Sequence, residues 1–215
     1  MIICVGSVFL DHIVKIDTFP NKPVKVLAQG IEKRLGGSAA VASFTIKKLG
    51  INTSFIGRLG NDDASKFLKS ELKKFKIKHN NIVEIKGVKS SQSFVYEDKQ
   101  GERLLAAFSE KKLLNNKKLP KIVFKKNTTI MSDLRWVEAT LYIAKNCNKN
   151  NLNHIVDLDN YKLNKKIKQI IHLSSHLIFS ETGAFEYTKI KSIVGSLKKM
   201  YSIKNKFYAI TAGEK

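Results

Sequence analysis

Short apolar stretches alternate along this chain with segments of helical period, and that alternation limits the fold more than any other feature. "IICVGSV", "TSFIGRLG", "TTIMSD", "HIVDLD", "HLIFS" and "FYAIT" read as strands. Between them lie "GSAAVASFTIKKLG", a helix closed by Gly50, and "DDASKFLKSELKKFKI", with Asp62 or Asp63 placed to cap it. Further helices are expected over "VEATLYIAKNCNK", around "LNKKIKQIIHL", and in one segment ending near "VGSLKKMY". Strands joined through helices imply right-handed crossovers. The expected fold is therefore α/β, a mainly parallel sheet covered on both faces.

Two segments break the rhythm. "HIVKIDTFPNKPVKVLAQGIEKRL" has strand-like pieces around a proline turn, and "KSSQSFVYEDKQGERLLAAF" reads as a hairpin turning at "DKQG". Spanning roughly 12–34 and 88–108, they are expected to form a small antiparallel sheet projecting from the main one. Either a lid over a site or a dimerisation flap has this pattern.

An apolar fraction of 43% over 215 residues supports a substantial core. No stretch is long enough to span a bilayer, and the N-terminus lacks the features of a signal peptide, so a cytoplasmic protein is expected. Cys4 and Cys147 match no metal or redox spacing and are expected to be buried and inert. The net charge of +21 raises nucleic acid as a partner. It is carried almost wholly by lysine, with Arg34, Arg58, Arg103 and Arg135 the only arginines. Lysines on amphipathic helices read as solvated faces, and no specific nucleic-acid site is expected. No histidine–cysteine cluster, Ser–His–Asp order or P-loop sequence is present.

The most informative block is "RLGGSAAVASFTIKKLGINTSFIGRLGNDD". Gly36 and Gly37 precede a helix of small residues, where backbone can approach a ligand closely; a tight turn explains such a pair equally well. Asp11 follows an apolar strand directly, and from sequence alone it reads as a helix or turn cap. The spacing of Gly37, Gly50 and Gly60, together with "CVGSVFLDHI", "FIGRLGNDDAS" and "FYAITAGEK", resembles the ribokinase-like (pfkB-type) carbohydrate kinases over the whole chain. That resemblance implies a three-layer ribokinase-like domain with a β lid, and ATP- and Mg²⁺-dependent phosphorylation of a sugar hydroxyl. Asp11, Gly36 and Gly37 would hold the sugar. Ser180, Thr211 and Gly213 would lie on the ATP side. A homodimer through the lid is a further expectation.

Within the family, "KSSQSFVYEDKQGERLLAAF", "MSDLRWVEATLYIAK", "IVDLD" and "SSHLIFSETG" resemble the sulfofructose kinase branch, whose substrates carry a sulfonate. By that resemblance Lys25 and Arg135 face the anionic group; a structural ion pair is the other reading of Arg135. Asp157 and Asp159 either support Mg²⁺ or cap the following helix.

Several positions depart from the family pattern. Val41 stands where an asparagine is usual, and Ala107 where the narrower branch has one. Ser180 and Gly183 occupy the places of the asparagine and glutamate of "N-x-x-E". The family's "D-T-x-G-A-G-D" motif, which carries the catalytic base and anion hole, does not occur in the 215 residues. The expectations that follow are a C-terminally truncated, inactive chain and apolar surface left uncovered at one end of the sheet. A kinase of an unsubstituted sugar or nucleoside, and a non-catalytic carbohydrate-binding protein, are the competing readings.

Overall fold

A computed structural model describes residues 1–202 and 206–213; Glu214 and Lys215, at the end of "AITAGEK", lie outside the described residues. β1 (Ile2–Gly6) passes almost directly into β2 (Phe9–Lys15), which pairs antiparallel with β3 (Gly30–Gly36). The chain re-enters the body through α1 (Ser38–Lys48), β4 (Thr53–Leu59) and α2 (Asp63–Lys74), followed by the short β5 (Val83–Glu84). A second hairpin, β6 (Gln92–Glu97) and β7 (Arg103–Phe108), turns at the predicted "DKQG" with Gly101 at φ +84°. After the single-turn α3 (Lys111–Leu114) come β8 (Thr129–Asp133), a 3₁₀ turn over Leu134–Trp136, α4 (Val137–Lys149), β9 (His154–Leu158) and α5 (Lys165–Leu173). The described chain closes with β10 (His176–Ser180), α6 (Glu181–Thr188), α7 (Ile193–Tyr201) and β11 (Phe207–Thr211).

Seven strands form one parallel sheet in the order β11-β10-β9-β8-β1-β4-β5. The two-residue period of β1 serves both faces. Cys4 packs with Ala39, Ala40, Leu68 and Leu72 of α1 and α2, whereas Ile3 and Val5 pack with Trp136, Ile143 and Cys147 on the side of α4. Farther along, Val156, Leu158, Leu177 and Phe179 pack with Ile167, Ile170 and Ile171 of α5, Ala184 of α6 and Met200 of α7. Both cysteines are buried, and burial pushes each thiol up to about 12, which leaves them unreactive as expected.

Two features differ from the sequence expectation. One helix was expected between "HLIFS" and "FYAIT"; there are two. Lys189 adopts the left-handed conformation (φ +60°) and ends α6, and Ser192 restarts the chain as the cap of α7 by accepting from the Gly195 N–H. The second concerns the projecting sheet, ordered β3-β2-β6-β7, which is mixed rather than antiparallel. Its central pair, β2 and β6, is parallel because both hairpins leave the body in the same direction and join through their outgoing strands. At the far edge of the main sheet, β11 is half-buried to exposed, with Phe207 55% exposed.

Candidate active site

Where the projecting sheet joins the body, a cavity of about 670 Å³ opens over the carboxyl end of β1. Gly6, Ser7, Gly37 and Ser38 line it from the body, and Asp11, Ser91, Ser93, Leu105 and Ala107 from the projecting sheet and its root. Arg58 of β4 and Arg135 and Trp136 of the 3₁₀ turn after β8 line it as well. Carboxyl ends of parallel strands are where α/β folds place ligands.

Asp11 lies within β2, not at a helix or turn start, which removes the capping alternative. It sits beside Ser93 in the parallel pairing of β2 with β6 and accepts the Ser93 hydroxyl at 2.5 Å. Burial pushes its carboxyl above the ordinary range, with Ser93 and His12 acting against that rise. His12 faces away, bonded to Gln92 at 2.8 Å and stacked on Phe94. The glycine pair has two separate causes. A Cβ on Gly36 would lie 1.9 Å from Asp11 Oδ2, so the carboxylate occupies space that any side chain would take. Gly37 has φ +92°, and a Cβ there would stand 2.7 Å from the Ser7 carbonyl. The backbone thus crosses between β3 and α1 against the end of β1.

The most highly connected group in the site was not singled out from sequence. Asp133, 2% exposed at the end of β8, accepts from the Ser7 N–H (2.8 Å), the Ser7 hydroxyl (2.5 Å), the Ala39 N–H (3.2 Å) and the Arg135 N–H (3.0 Å). An apolar strand ending in aspartate before "LRW" was its only sequence signal. Asp157 is its register partner on β9. Burial raises the Asp157 carboxyl to about 6; the Ser38 hydroxyl and Arg135 lower it, while Asp133 and Asp159 raise it.

Arg135 is exposed on the cavity wall and forms no ion pair among the described residues, so the structural-pair alternative is not what holds it. Its backbone is fixed instead, by Asp133 through its N–H and by Arg58 Nη2 through its carbonyl at 3.1 Å. Arg58 also donates to the Leu114 carbonyl at 2.7 Å and stacks 4.8 Å from the Trp136 ring. Lys25, paired with Arg135 in the sequence reading, is exposed in the connection between β2 and β3 and does not line this cavity. Ala107 does line it, whereas Val41 is exposed on α1 outside the lining.

Ser180, Thr211 and Gly213 gather farther along the same edge of the sheet. Ser180 and Thr211 are register partners across β10 and β11, and Gly213 follows with φ +60°. The Ser180 hydroxyl caps α6 by accepting from the Gly183 N–H at 3.1 Å. Asp159 does not cap α5; Asn164 does, accepting from the Ile167 N–H at 3.1 Å. Its amide is reached after a loop, leaving Asp159 at the strand end. Among the described residues there is no group of three or more histidine, cysteine or acidic side chains able to hold a metal by themselves. No helix among them is long and apolar enough to cross a membrane.

Relatives share this architecture. A nucleoside kinase of Methanocaldococcus jannaschii is 26% identical over 103 residues, 48% of this chain; the match spans about a third (34%) of that kinase. The crystal structure of a candidate ribokinase from Agrobacterium tumefaciens superposes with a TM-score of 0.90 at 23% identity, covering 99% of this chain and 70% of that one. Arabidopsis thaliana ribokinase, solved with ribose and ATP, gives a TM-score of 0.72 at 17% identity over 97% of this chain and 69% of its own. The fold is therefore ribokinase-like, and since the profile of the pfkB family of carbohydrate kinases matches residues 1–215, the chain belongs to that family.

Proposed function

We propose that this chain binds a sugar for ATP-dependent phosphorylation of one of its hydroxyls, and that the sugar is an anionic ketose of the 6-deoxy-6-sulfofructose kind. The observation that carries the reading is a single cavity lined by both a carboxylate acceptor, Asp11, and a cation, Arg135. Asp11, held by Ser93 beside the space Gly36 leaves free, suits paired sugar hydroxyls. Arg135, lining the same cavity without a carboxylate partner among the described residues, suits a tetrahedral anion. Lys25 would join only by movement of its loop.

The nucleotide would rest on the Ser180 and Thr211 hydroxyls and the backbone at Gly213, whose exposed strand ends leave room for it. Asp157 and Asp159 fit a supporting role for Mg²⁺, since burial and mutual repulsion raise the Asp157 carboxyl and a cation would relieve both. When bound, ATP with Mg²⁺ supplies the phosphoryl group and neutralises charge developing on it. This chain's own residues bind and orient the sugar.

Titration calorimetry of the 215-residue chain with 6-deoxy-6-sulfofructose, fructose and inosine tests this. Sulfofructose should bind tightest, and Arg135→Met should weaken it by about tenfold or more while leaving fructose unchanged. A preference for inosine would replace the reading with a nucleoside kinase, which similarity to the archaeal nucleoside kinase favours. Binding of none of the three by a folded chain would overturn the sugar site itself.

A further inference from the structure

The chain of the first lid hairpin leaves the body at one place and returns at another. Ser7 and Val8 carry the chain out from β1 to β2, and Gly37 carries it back from β3 to α1. Both crossings meet one side chain: Asp133 Oδ2 accepts from the Ser7 N–H, the Ser7 hydroxyl and the Ala39 N–H. Its other oxygen accepts from the Arg135 N–H. The two crossings are also tied to each other, since the Ala40 N–H donates to the Ser7 carbonyl at 3.2 Å.

We propose that Asp133 is a positioning residue that pins both roots of the first lid hairpin and the backbone of Arg135 to one point, and so sets the angle of the lid over the cavity. Three physical arguments support it. Hydrogen bonds to an ionised acceptor are roughly twice as strong as neutral ones, so four donors on one buried carboxylate make a stiff joint. The Ala39 N–H is a first-turn donor of α1, where the helix favours negative charge. Beyond its root the hairpin is held by the pairing of β2 with β6, itself part of the projecting sheet, and residues 17–29 are irregular and largely exposed, so its own direct hold on the body is at this joint. Asp11 rides on β2, whereas Arg135 is fixed to the body. The angle at Asp133, together with the root of the second hairpin to which β2 is paired, therefore sets the separation between Asp11 and Arg135. The bearing on substrate rests on the function proposed above; the hinge itself does not.

The test measures lid position without ligand. Spin labels at Lys33→Cys on β3 and Lys168→Cys on α5, both exposed, report the distance from lid to body, and the buried native cysteines will not take label. Asp133→Asn turns one acceptor oxygen into a donor facing N–H groups; Ser7→Ala removes one donor and is the variant to use if the first fails to fold. Each should broaden or shift the distance distribution and speed hydrogen exchange at Ser7, Ala39 and Arg135. Ile143→Ala, a cavity in the core beneath α4, should lower the melting temperature without either change. An unchanged distribution in the folded hinge variants, or equal broadening in Ile143→Ala, overturns the proposal. If the lid moves but sulfofructose affinity does not fall by about tenfold, the hinge stands and the functional reading above fails.

Discussion

Ser93 and Asp11 face one another across the only parallel pairing in the lid sheet, with the hydroxyl donating to the carboxylate at 2.5 Å. Because that pairing joins two hairpins far apart in sequence, the orientation of Asp11 depends on the second hairpin as much as on its own strand. Gly36→Ala would drive a methyl into the carboxylate and displace it. The expected outcome is a loss of sugar binding of about a hundredfold, close to that of Asp11→Ala, with Ser93→Ala costing about tenfold. Calorimetry alongside thermal melts checks this. Strong binding by Gly36→Ala would place the sugar elsewhere.

Asp62 holds the root of the second hairpin much as Asp133 holds the first. It caps α2 through the Ser65 N–H at 3.0 Å and accepts from the Ser90 N–H (2.9 Å) and hydroxyl (2.6 Å), just before β6. Asp62→Ala removes a cap and leaves Ser90 unsatisfied, so a cost of about 2–3 kcal/mol is expected in urea unfolding at pH 7. Burial works against the charge, but the Ser90 and Ser65 donors outweigh it and hold the carboxyl below its ordinary value of 3.8. A lowered folded pKa means stability that is complete above the unfolded value and lost as pH falls through the folded one. The gap between wild type and Asp62→Ala should therefore close only below about pH 4. A gap already closed at pH 5 would contradict it.

These two carboxylates show what could be read from the chain and what could not. Strand and helix positions were legible because burial on both faces of a parallel sheet writes apolar runs, and helices write a longer period. Asp62 was legible as a cap because that interaction is local, three residues long. Its second task, holding Ser90, spans 28 residues and leaves no local trace. Asp133 is harder still, since its partners lie 126 and 94 residues away. The parallel β2–β6 pairing was missed for the same reason: each hairpin is local, but how two hairpins join is not. The split of one expected helix into α6 and α7 turns on Lys189 adopting φ +60°, a conformation that lysine rarely signals. Of the sugar-side residues named from sequence, Asp11, Gly37 and Arg135 do line one cavity and Gly36 abuts Asp11, whereas Lys25, on a long irregular loop, does not.

The outer edge of the lid carries a prediction about assembly. β7 is exposed along its whole length and presents Leu104 at 59% exposure and Phe108 at 47% on an unpaired edge. An apolar free edge of this kind is a template for pairing with another copy. Sedimentation should find a dimer, and Leu104→Glu should shift it to monomer without lowering the melting temperature of the monomer. A wild-type monomer at all concentrations would remove the lid dimer.

Asp157 supplies a prediction in pH. Its carboxyl is raised to about 6, by burial first, and then by Asp133 and Asp159, which together exceed the lowering from the Ser38 hydroxyl and Arg135. An acid with a raised folded pKa binds more protons when folded, so its contribution is most favourable below the unfolded value of 3.8. It is lost as pH rises towards about 6. Asn at this position keeps an acceptor for Ser38 and never ionises. The stability of Asp157→Asn relative to wild type should therefore rise between pH 4 and pH 6 and then level, reaching on the order of 2 kcal/mol at pH 7. Taking the difference between the two proteins cancels the other titrating groups, including buried His154, whose pKa of about 3 gives a slope of opposite sign. Urea unfolding at several pH values measures it. If Asp157 also supports Mg²⁺, the ion should stabilise wild type at pH 7 and leave Asp157→Asn unchanged. A flat difference from pH 4 to 7 would mean that Asp157 keeps an ordinary carboxyl in the fold.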